Sequence, residues 1–340
     1  MPFVSLLCFT FIAATYMIKV LFVDTTHPYL PESLEKAGFR CEHHPGFTYP
    51  DYCSIIHEYT GIIIRSGISL DKQILEKAVN LKFIGRVGAG MENIDTAYAE
   101  SQGIACLSAP EGNRDALAEH TVGMLLAMMN HMLRADSQVR KGLWKREENR
   151  GVEIMGKTIG IIGYGNMGSA FARRLSGFGV RVIAYDKYKT AYSDNFVEES
   201  DMETLFRDTD ILSLHVPLTV ETDYLVNADY LDCFAKPIRL INTSRGRVVK
   251  TADLVQKMKE GKVLGAALDV IEYEKNTLEN LESTPEDFQY LAQSDRVVLS
   301  PHIAGWSHES AVKLAKVLVD KILCFSVPEK SPSGKSLPRR

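Results

Sequence analysis

Short apolar runs alternate along the chain with longer segments in which apolar residues recur every three or four positions. The short runs have the length of buried strands, and the periodic segments are typical of amphipathic helices. In the first third of the chain the predicted strands are residues 18–24, 61–64, 82–86 and 103–107, and the predicted helices are residues 31–38 and 71–79. This alternation favours an α/β fold with parallel sheets and crossover helices.

A second alternating unit begins at Lys157. Its predicted strands are residues 158–162, 181–185, 211–215, 239–242, 265–269 and 296–299. Its predicted helices are residues 167–178, 202–207, 251–260 and 308–325, and the polar stretch at 272–293 is predicted to be a loop. The two halves therefore predict two doubly wound parallel-sheet domains.

A turn at residues 110–113 and one long helix at residues 116–141 are predicted to connect the two units. Apolar residues recur on one face of this helix: Leu117, Met124, Leu125, Met128 and Met132. Methionine at such positions is typical of a packed core or of a contact between subunits. The helix is therefore expected to act as a hinge between the domains and as a dimer contact.

The turn at residues 163–168 has the spacing Gly-x-Gly-x-x-Gly and lies between a predicted strand and a predicted helix. Glycines there let a pyrophosphate approach the backbone at the helix N-terminus. Asp186 ends the next predicted strand, where a carboxylate accepts hydrogen bonds from a ribose and repels a 2′-phosphate. The motif predicts NAD binding, and the nearby Lys187 and Lys189 leave tolerance of NADP open.

Composition sets the broad class of the protein. The chain has 340 residues, of which 45% are hydrophobic and 24% charged, with a formal net charge of -4. These values predict two globular domains and argue against a nucleic-acid partner, which would require a basic surface. The six cysteines lack metal-ligand spacing and are expected to be reduced thiols, as in a cytoplasmic protein.

The two ends of the chain differ from the rest in composition. Residues 1–16 are mostly apolar, but the first basic residue, Lys19, follows the apolar run instead of preceding it. We therefore expect Met17 to be the native start and residues 1–16 to be an extension. A weak export or membrane signal is the alternative. Residues 328–340 are rich in Pro, Ser, Lys and Arg and are predicted to be disordered.

Three charged residues follow late predicted strands, at the edge of a parallel sheet where ligands bind. Arg245 follows residues 239–242, and its planar guanidinium can hold a carboxylate, although a surface role is the alternative. Glu274 follows the strand at 265–269, where a solvated charge is the alternative, and His302 follows the last strand. A single histidine is more often structural than catalytic. The order of these residues along the chain, taken together with the glycine motif, is more informative than any one of them alone.

The order Gly-x-Gly-x-x-Gly, Asn-x-x-Arg-Gly, Leu-Asp-Val-x-x-x-Glu, Pro-His-x-x-Gly resembles the D-isomer-specific 2-hydroxyacid dehydrogenase family, from Lys19 to about Phe325. The resemblance implies that Arg245, Glu274 and His302 form the catalytic set of an NAD-dependent oxidoreductase. The family usually has proline after this glutamate, whereas this chain has lysine, so Glu272 is an alternative to Glu274.

The same resemblance implies further cofactor contacts. The expected set is Gly163, Gly165, Asn166, Met167, Gly168, Asp186, His215, Val216, Pro217, Thr121, Thr243, Ser244, Arg245, Asp269, His302 and Gly305. His120, in the same turn as Thr121, is expected to be structural.

The substrate site resembles that of the phosphoglycerate dehydrogenases within the family. The expected substrate contacts are Arg65, Ser66, Arg86, Gly88, Ala89, Gly90 and Arg146, the last from a partner subunit. Several cationic groups favour 3-phosphoglycerate as the substrate, in serine biosynthesis, although ordinary surface arginines are the alternative interpretation of Arg65, Arg86 and Arg146. Glyoxylate, hydroxypyruvate or another 2-keto acid is the alternative, because Ala89 stands where some phosphoglycerate enzymes have threonine.

The resemblance also sets the expected architecture. A substrate domain at residues 17–112 and 306–327 is expected to be interrupted by a Rossmann NAD domain at residues 113–305. The substrate domain is expected to be flavodoxin-like, without an appended regulatory domain. A homodimer without a membrane partner is expected. Because the fold does not fix the function, an NAD-sensing module without enzymatic activity is an alternative of another class.

Overall fold

Two parallel sheets organise the chain in the computed structural model, which describes residues 17–274, 281 and 283–326. The strands of the first sheet are β1 (Lys19–Phe22), β2 (Arg40–His43), β3 (Gly61–Ile64), β4 (Phe83–Arg86) and β5 (Ala105–Ser108). They are arranged in the order β2-β1-β3-β4-β5, with every neighbouring pair parallel. This is the flavodoxin-like order, so the carboxyl ends of β1 and β3 form a switch point in the topology.

Helices cover both faces of the first sheet. They are α1 (Tyr29–Lys36), α2 (Tyr49–Ile55), α3 (Lys72–Leu75) and α4 (Thr96–Ser101). The helix predicted at residues 71–79 is shorter in the structure, beginning after Asp71, whose side chain accepts a hydrogen bond from the Ile74 amide. Four residues of β3 in a row are buried, as expected for a central strand covered on both faces.

Two helices, not one, follow the first sheet. They are α5 (Pro110–Met129) and α6 (Met132–Arg140). The turn predicted at residues 110–113 is wrong, because Pro110 begins α5, where a proline ring is tolerated. The single helix at 116–141 is also wrong, since His131 has a left-handed φ of 51° and interrupts it. Met132, on the face predicted to form either a core or a subunit contact, is half exposed after this break.

The second sheet has seven strands. They are β6 (Thr158–Ile162), β7 (Arg181–Tyr185), β8 (Glu198–Glu199), β9 (Ile211–Leu214), β10 (Ile238–Asn242), β11 (Val263–Leu268) and β12 (Val297–Leu299). Their order is β12-β11-β10-β9-β6-β7-β8, with parallel pairing throughout. The order reverses between β6 and β9, which places a ligand crevice at the carboxyl ends of these strands. The α/β fold with two doubly wound sheets is confirmed.

Six more α-helices are present in the described part of the chain. They are α7 (Asn166–Arg174), α8 (Met202–Asp208), α9 (Ala228–Asp232), α10 (Thr251–Lys259), α11 (Glu286–Gln293) and α12 (His308–Ser326). Helix α11 lies in the stretch predicted to be a loop. Helix α12 returns to the first sheet, where Leu318 and Ile322 join the core around Phe22 and Ile63. The first sheet is therefore covered by segments from both ends of the described chain.

Apolar side chains remain exposed on α6 and in the loop after it. They include Leu133, Val139, Leu143, Trp144 and Met155. Within the ranges that the structure describes, no helix is both long and apolar enough to cross a membrane. The segments at residues 1–16 and 328–340 lie outside the described residues.

Candidate active site

His302 and Glu274 form a close pair beyond the carboxyl ends of β11 and β12. Nδ1 of His302 lies 2.7 Å from Oε2 of Glu274, and both side chains are largely shielded from solvent. The other carboxylate oxygen accepts a hydrogen bond from the Ile271 amide. Because a carboxylate only accepts, Nδ1 carries the proton in this pair. Nε2 of the neutral ring is then left as a free acceptor.

Asp269 fixes the loop that carries His302. Its buried carboxylate accepts hydrogen bonds from the Ser300 hydroxyl at 2.6 Å and from the amides of Ile303 and Ala304 at 2.9 and 2.8 Å. The His302 amide donates to the Asp269 carbonyl at 2.7 Å. His302 has a left-handed φ of 56°, which is rare for a residue with a side chain. The surrounding bonds hold this unusual conformation.

His120 approaches the same loop from α5. Its Nε2 lies 3.0 Å from the Ser300 hydroxyl and 3.7 Å from the Asp269 carboxylate. His120, expected to be structural, therefore contacts the loop that carries His302. Glu272 does not take the place of Glu274, because the carboxylate that pairs with Nδ1 of His302 belongs to Glu274.

Arg245 lies directly after β10, in a turn shaped by Asn242. The Asn242 amide donates to the Arg245 carbonyl at 2.9 Å, and its oxygen accepts from the Ser244 amide and hydroxyl. The guanidinium Nε lies 2.6 Å from Oε1 of Glu92, and Nη2 lies 3.3 Å from Oε2. Sequence reasoning missed Glu92, which belongs to the loop after β4. Gly246 abuts the backbone of Ile271, so this turn adjoins the segment that carries Glu274.

Two more guanidinium groups lie near Arg245. Burial lowers the pKa of Arg86 to about 10; Glu92 opposes this shift, while Arg245 and Arg65 add to it. Nη1 of Arg86 donates to the Val87 carbonyl, but its buried Nε has no partner. Burial also lowers the pKa of Arg65, opposed by Asp24. The geometry therefore brings together three predicted arginines.

Other predicted substrate contacts are placed differently. The Gly88 amide donates to the Arg86 carbonyl at 2.9 Å, so it is occupied within the chain. Arg146 is exposed on the loop after α6, where its carbonyl accepts a bond from Asn149. Ser66, Ala89 and Gly90 are partly buried beside the arginines in sequence. Arg65 packs over Trp306, with 4.3 Å between the guanidinium carbon and the ring centroid.

The glycine-rich turn has the conformation that the motif predicts. Gly163 has a φ of 91°, and a side chain there would overlap the His215 carbonyl. Gly168 packs against the Gly163 carbonyl, while Gly165 borders open space. The N-terminal amides of α7, a nine-residue helix, lack a side-chain cap. Such a helix terminus fits a pyrophosphate.

Asp186 also fits the ribose of NAD. One of its oxygens accepts from the Tyr164 amide at 2.8 Å and the other from the Tyr188 amide at 2.9 Å. Each oxygen keeps a lone pair for a ribose hydroxyl. The neighbouring lysines are engaged elsewhere, since Lys189 donates to the Tyr164 carbonyl and Lys187 pairs with Glu221. The residues present therefore match NAD.

Several residues expected to contact the cofactor are buried. The Thr121 hydroxyl donates to the Leu117 carbonyl at 2.7 Å, and its oxygen lies 3.3 Å from the Thr243 hydroxyl. His215 bonds to the Ser213 hydroxyl through Nε2, and burial lowers its pKa to about 3. The side chains of these residues are therefore buried and hydrogen-bonded within the protein. The remaining predicted contacts, Asn166, Met167, Val216 and Gly305, are partly buried, and Pro217 is exposed.

Comparison with known proteins identifies the family. Residues 122–304 match the model of the D-isomer specific 2-hydroxyacid dehydrogenase NAD binding domain. The chain is 36% identical over 268 residues to a hydroxypyruvate reductase of Thermotoga maritima, covering 79% of this chain and 85% of that protein. It is 32% identical to a D-3-phosphoglycerate dehydrogenase of Archaeoglobus fulgidus, covering 90% of this chain but 57% of the relative.

A solved structure agrees with these matches. D-lactate dehydrogenase from Aquifex aeolicus, complexed with NAD and lactic acid, superposes with a TM-score of 0.77 at 27% identity. The alignment covers 90% of this chain and 95% of that structure. The chain belongs to the D-isomer-specific 2-hydroxyacid dehydrogenase family. This confirms the resemblance and the expectation of an NAD-dependent oxidoreductase, and the relatives give no support to a non-enzymatic module.

Proposed function

We propose that the chain interconverts a D-2-hydroxy acid and its 2-keto acid through His302, Glu274 and Arg245. The observation that carries this proposal is the His302–Glu274 pair, which lies beside the Arg245 turn at the carboxyl ends of adjacent strands. An oriented imidazole next to a carboxylate is the arrangement that proton transfer requires, and a guanidinium matches the acid group of the substrate.

Each residue has a distinct role in this proposal. During oxidation, Nε2 of His302 takes the proton from the substrate hydroxyl, and during reduction it returns a proton to the carbonyl oxygen. Glu274 keeps Nδ1 protonated and stabilises the imidazolium. Arg245 binds the substrate carboxylate and stabilises charge that develops on the neighbouring oxygen. Bound NAD supplies the hydride acceptor or donor.

For the substrate, the first candidate is 3-phosphoglycerate, whose oxidation product is 3-phosphohydroxypyruvate in serine biosynthesis. Its support is the group of three guanidiniums formed by Arg65, Arg86 and Arg245. Burial of the Arg86 guanidinium, whose Nε has no hydrogen-bond partner among the described residues, favours a nearby anionic group of a ligand that would offset its charge. A phosphate and a carboxylate together match this much positive charge.

The second candidate is reduction of an unphosphorylated acid such as hydroxypyruvate or glyoxylate. Two carboxylates already offset part of the positive charge: Glu92 pairs with Arg245, and Asp24 lies near Arg65. A substrate with a single carboxylate would therefore bring the net charge of the site closer to zero than a substrate that also carries a phosphate. Such a substrate also does not require the predicted contact with an Arg146 that comes from a partner subunit.

Phosphohydroxypyruvate and hydroxypyruvate form a matched pair of test substrates, since they differ only in the phosphate. The oxidation of NADH is followed by absorbance, with glyoxylate and pyruvate as further substrates. A kcat/KM at least about tenfold higher for the phosphorylated acid, reduced to parity in Arg86→Gln, supports the first candidate. A preference for hydroxypyruvate or glyoxylate that survives Arg86→Gln supports the second. Turnover of none of these acids would contradict both.

We also infer that the chain forms a homodimer through α6 and the following loop. The exposed apolar side chains Leu133, Leu143 and Trp144 carry this inference, because such a patch is typical of an interface. Light scattering tests it: a dimeric mass that becomes monomeric in Leu133→Asp supports the interface. A monomeric wild-type protein would contradict it. A cytoplasmic location and the domain boundaries given above stay predictions.

A further inference from the structure

We propose that Glu92 is a positioning residue for the substrate-anchoring arginine. Glu92 lies in the loop after β4 of the first sheet and holds Arg245, which follows β10 of the second sheet, in one orientation. The proposal rests on the function proposed for Arg245, and it adds a residue that lies outside the sequence motifs. It also makes substrate anchoring depend on contact between the two parts of the molecule.

The geometry of the ion pair defines the plane of the guanidinium. Nε and Nη2 of Arg245 face the two oxygens of Glu92 side by side, at 2.6 and 3.3 Å. Nη1 donates to the Ser244 carbonyl at 2.6 Å on its own turn. Three of the five N–H bonds of the side chain are thereby used. The two that remain, one on Nη1 and one on Nη2, are available to a substrate carboxylate.

The loop after β4 is shaped to accept this pair. A side chain at Gly90 would overlap both Nη2 of Arg245 and Oε2 of Glu92. Gly90 therefore provides the space in which the two groups meet. The same loop accommodates a second guanidinium in the same way, because a side chain at Gly88 would overlap Nη1 of Arg86. Two glycines in this loop thus each lie against an arginine head group.

Electrostatics favour an ionised Glu92 at this place. Burial would raise the pKa of its carboxyl, but the Arg245 guanidinium and, more weakly, Arg86 hold the pKa below its ordinary value. Without this carboxylate, Arg245 and Arg86 would repel each other in a poorly solvated site. Glu92 therefore holds Arg245 in position and offsets the electrostatic repulsion between Arg245 and Arg86.

Removing the carboxylate while keeping the shape tests the proposal. In Glu92→Gln, kcat/KM for the 2-keto acid that the wild type reduces fastest is expected to fall about 10- to 100-fold. Both a higher KM and a lower kcat are expected, because Arg245 contacts substrate in the ground state and the transition state. Glu92→Asp, which keeps the charge, should recover part of this loss. The affinity for NADH should not change.

The decisive experiment is a double-mutant cycle with Arg245→Gln. If Glu92 acts through Arg245, adding Glu92→Gln to Arg245→Gln causes no further loss of kcat/KM. If the two losses multiply, Glu92 acts on its own and the proposal is wrong. A lower KM in Glu92→Gln would also overturn it, since Glu92 would then compete with the substrate carboxylate for Arg245. Unchanged kinetics in Glu92→Gln would do the same.

A matched control removes a carboxylate from a similar pair nearby. Asp223 holds Arg247 through Nε at 3.0 Å and Nη2 at 2.5 Å, in the same side-by-side arrangement. Asp223→Asn should leave kcat/KM unchanged. Thermal melting of each variant shows whether a loss of activity reflects loss of the fold. Comparison of Glu92→Gln with Asp223→Asn therefore shows whether the loss of activity depends on where the removed carboxylate lies.

Binding of oxalate, an unreactive carboxylate, separates this proposal from the proposed function. Calorimetry with the NADH-loaded enzyme should show oxalate binding that weakens about tenfold or more in Glu92→Gln. If the wild type binds oxalate but reduces none of the keto acids, the proposed function fails while the role of Glu92 stands. If oxalate binds equally to the wild type and to Glu92→Gln, or not at all to either, the role of Glu92 is overturned.

Discussion

The two charged pairs of the site are built in different ways. His302 and Glu274 both follow strands of the second sheet, and Asp269, directly after β11, holds the loop that carries His302. Arg245 belongs to the second sheet as well, but its partner Glu92 comes from the loop after β4 in the first sheet. One pair is therefore internal to a sheet unit, and the other joins the two units.

This difference separates the two tasks that we propose for the site. The group that moves the proton is oriented by residues of its own unit, so it needs no contact with the other unit. The group that binds the substrate carboxylate is oriented only where the units meet. A site built in this way can bind NAD at the second sheet with its histidine already in place. The substrate anchor is completed when the first sheet is in contact.

The largest expected effect is the loss of the proton-transfer group. His302→Asn should lower kcat by about 10³-fold, within the range usual for a general acid or base. NADH affinity, measured by quenching of protein fluorescence, should fall far less than kcat, because most of the expected cofactor contacts, including the glycine turn and Asp186, belong to other segments. His308→Asn, on the first turn of α12, is the control for replacing a histidine near this loop. A kcat that is the same in His302→Asn and in wild type would remove His302 from the mechanism.

The fold and one of the two pairs could be predicted from the sequence. Strand periodicity indicated both sheets, and the order of short motifs placed Arg245, Glu274 and His302 in one site. These signals are local: a glycine turn after a strand, or a histidine after the last strand. The resemblance to the family, carried by these motifs, implied the His302–Glu274 pair, and the ends of adjacent strands at one edge of a parallel sheet bring the two residues within reach.

The contact between Glu92 of the first sheet unit and Arg245 of the second has no local signal in the sequence. Glu92 and Arg245 are 153 residues apart, and neither periodicity nor spacing relates them. An acidic residue in a glycine-rich loop was the available indication. The burial of the Thr121 and His215 side chains was not predicted, for a related reason. A motif identifies a position along the chain, whereas packing decides which way the side chain at that position faces. The start of α11 was overlooked, although Pro285 and two acids precede its apolar residues.

A side chain at Gly90 should disturb the pair that joins the units without removing a charge. The ends of two flexible side chains would have to move to accommodate Gly90→Ala, so the fold should survive. We expect kcat/KM to fall about tenfold or more, since Arg245 loses its orientation. Gly123→Ala, on α5 with open space around the new methyl group, is the control. A Gly90→Ala enzyme with wild-type kcat/KM would show that the Arg245–Glu92 geometry does not matter for turnover.

Asp269→Asn should have the smallest effect of the three and tests the internal pair. The amide that replaces one carboxylate oxygen cannot accept, so the loop from Ser300 to Ala304 loses at least one of three hydrogen bonds. We expect stability to fall by about 1–3 kcal/mol in denaturant unfolding, because a buried donor is left unpaired. In the same variant kcat should fall about tenfold, since the left-handed conformation of His302 is less well held. Ser300→Ala, which removes one donor and leaves the carboxylate, should cost less in both measurements. If Asp269→Asn instead weakens NADH binding and leaves kcat intact, Asp269 serves the cofactor directly and the His302 loop is held by other bonds.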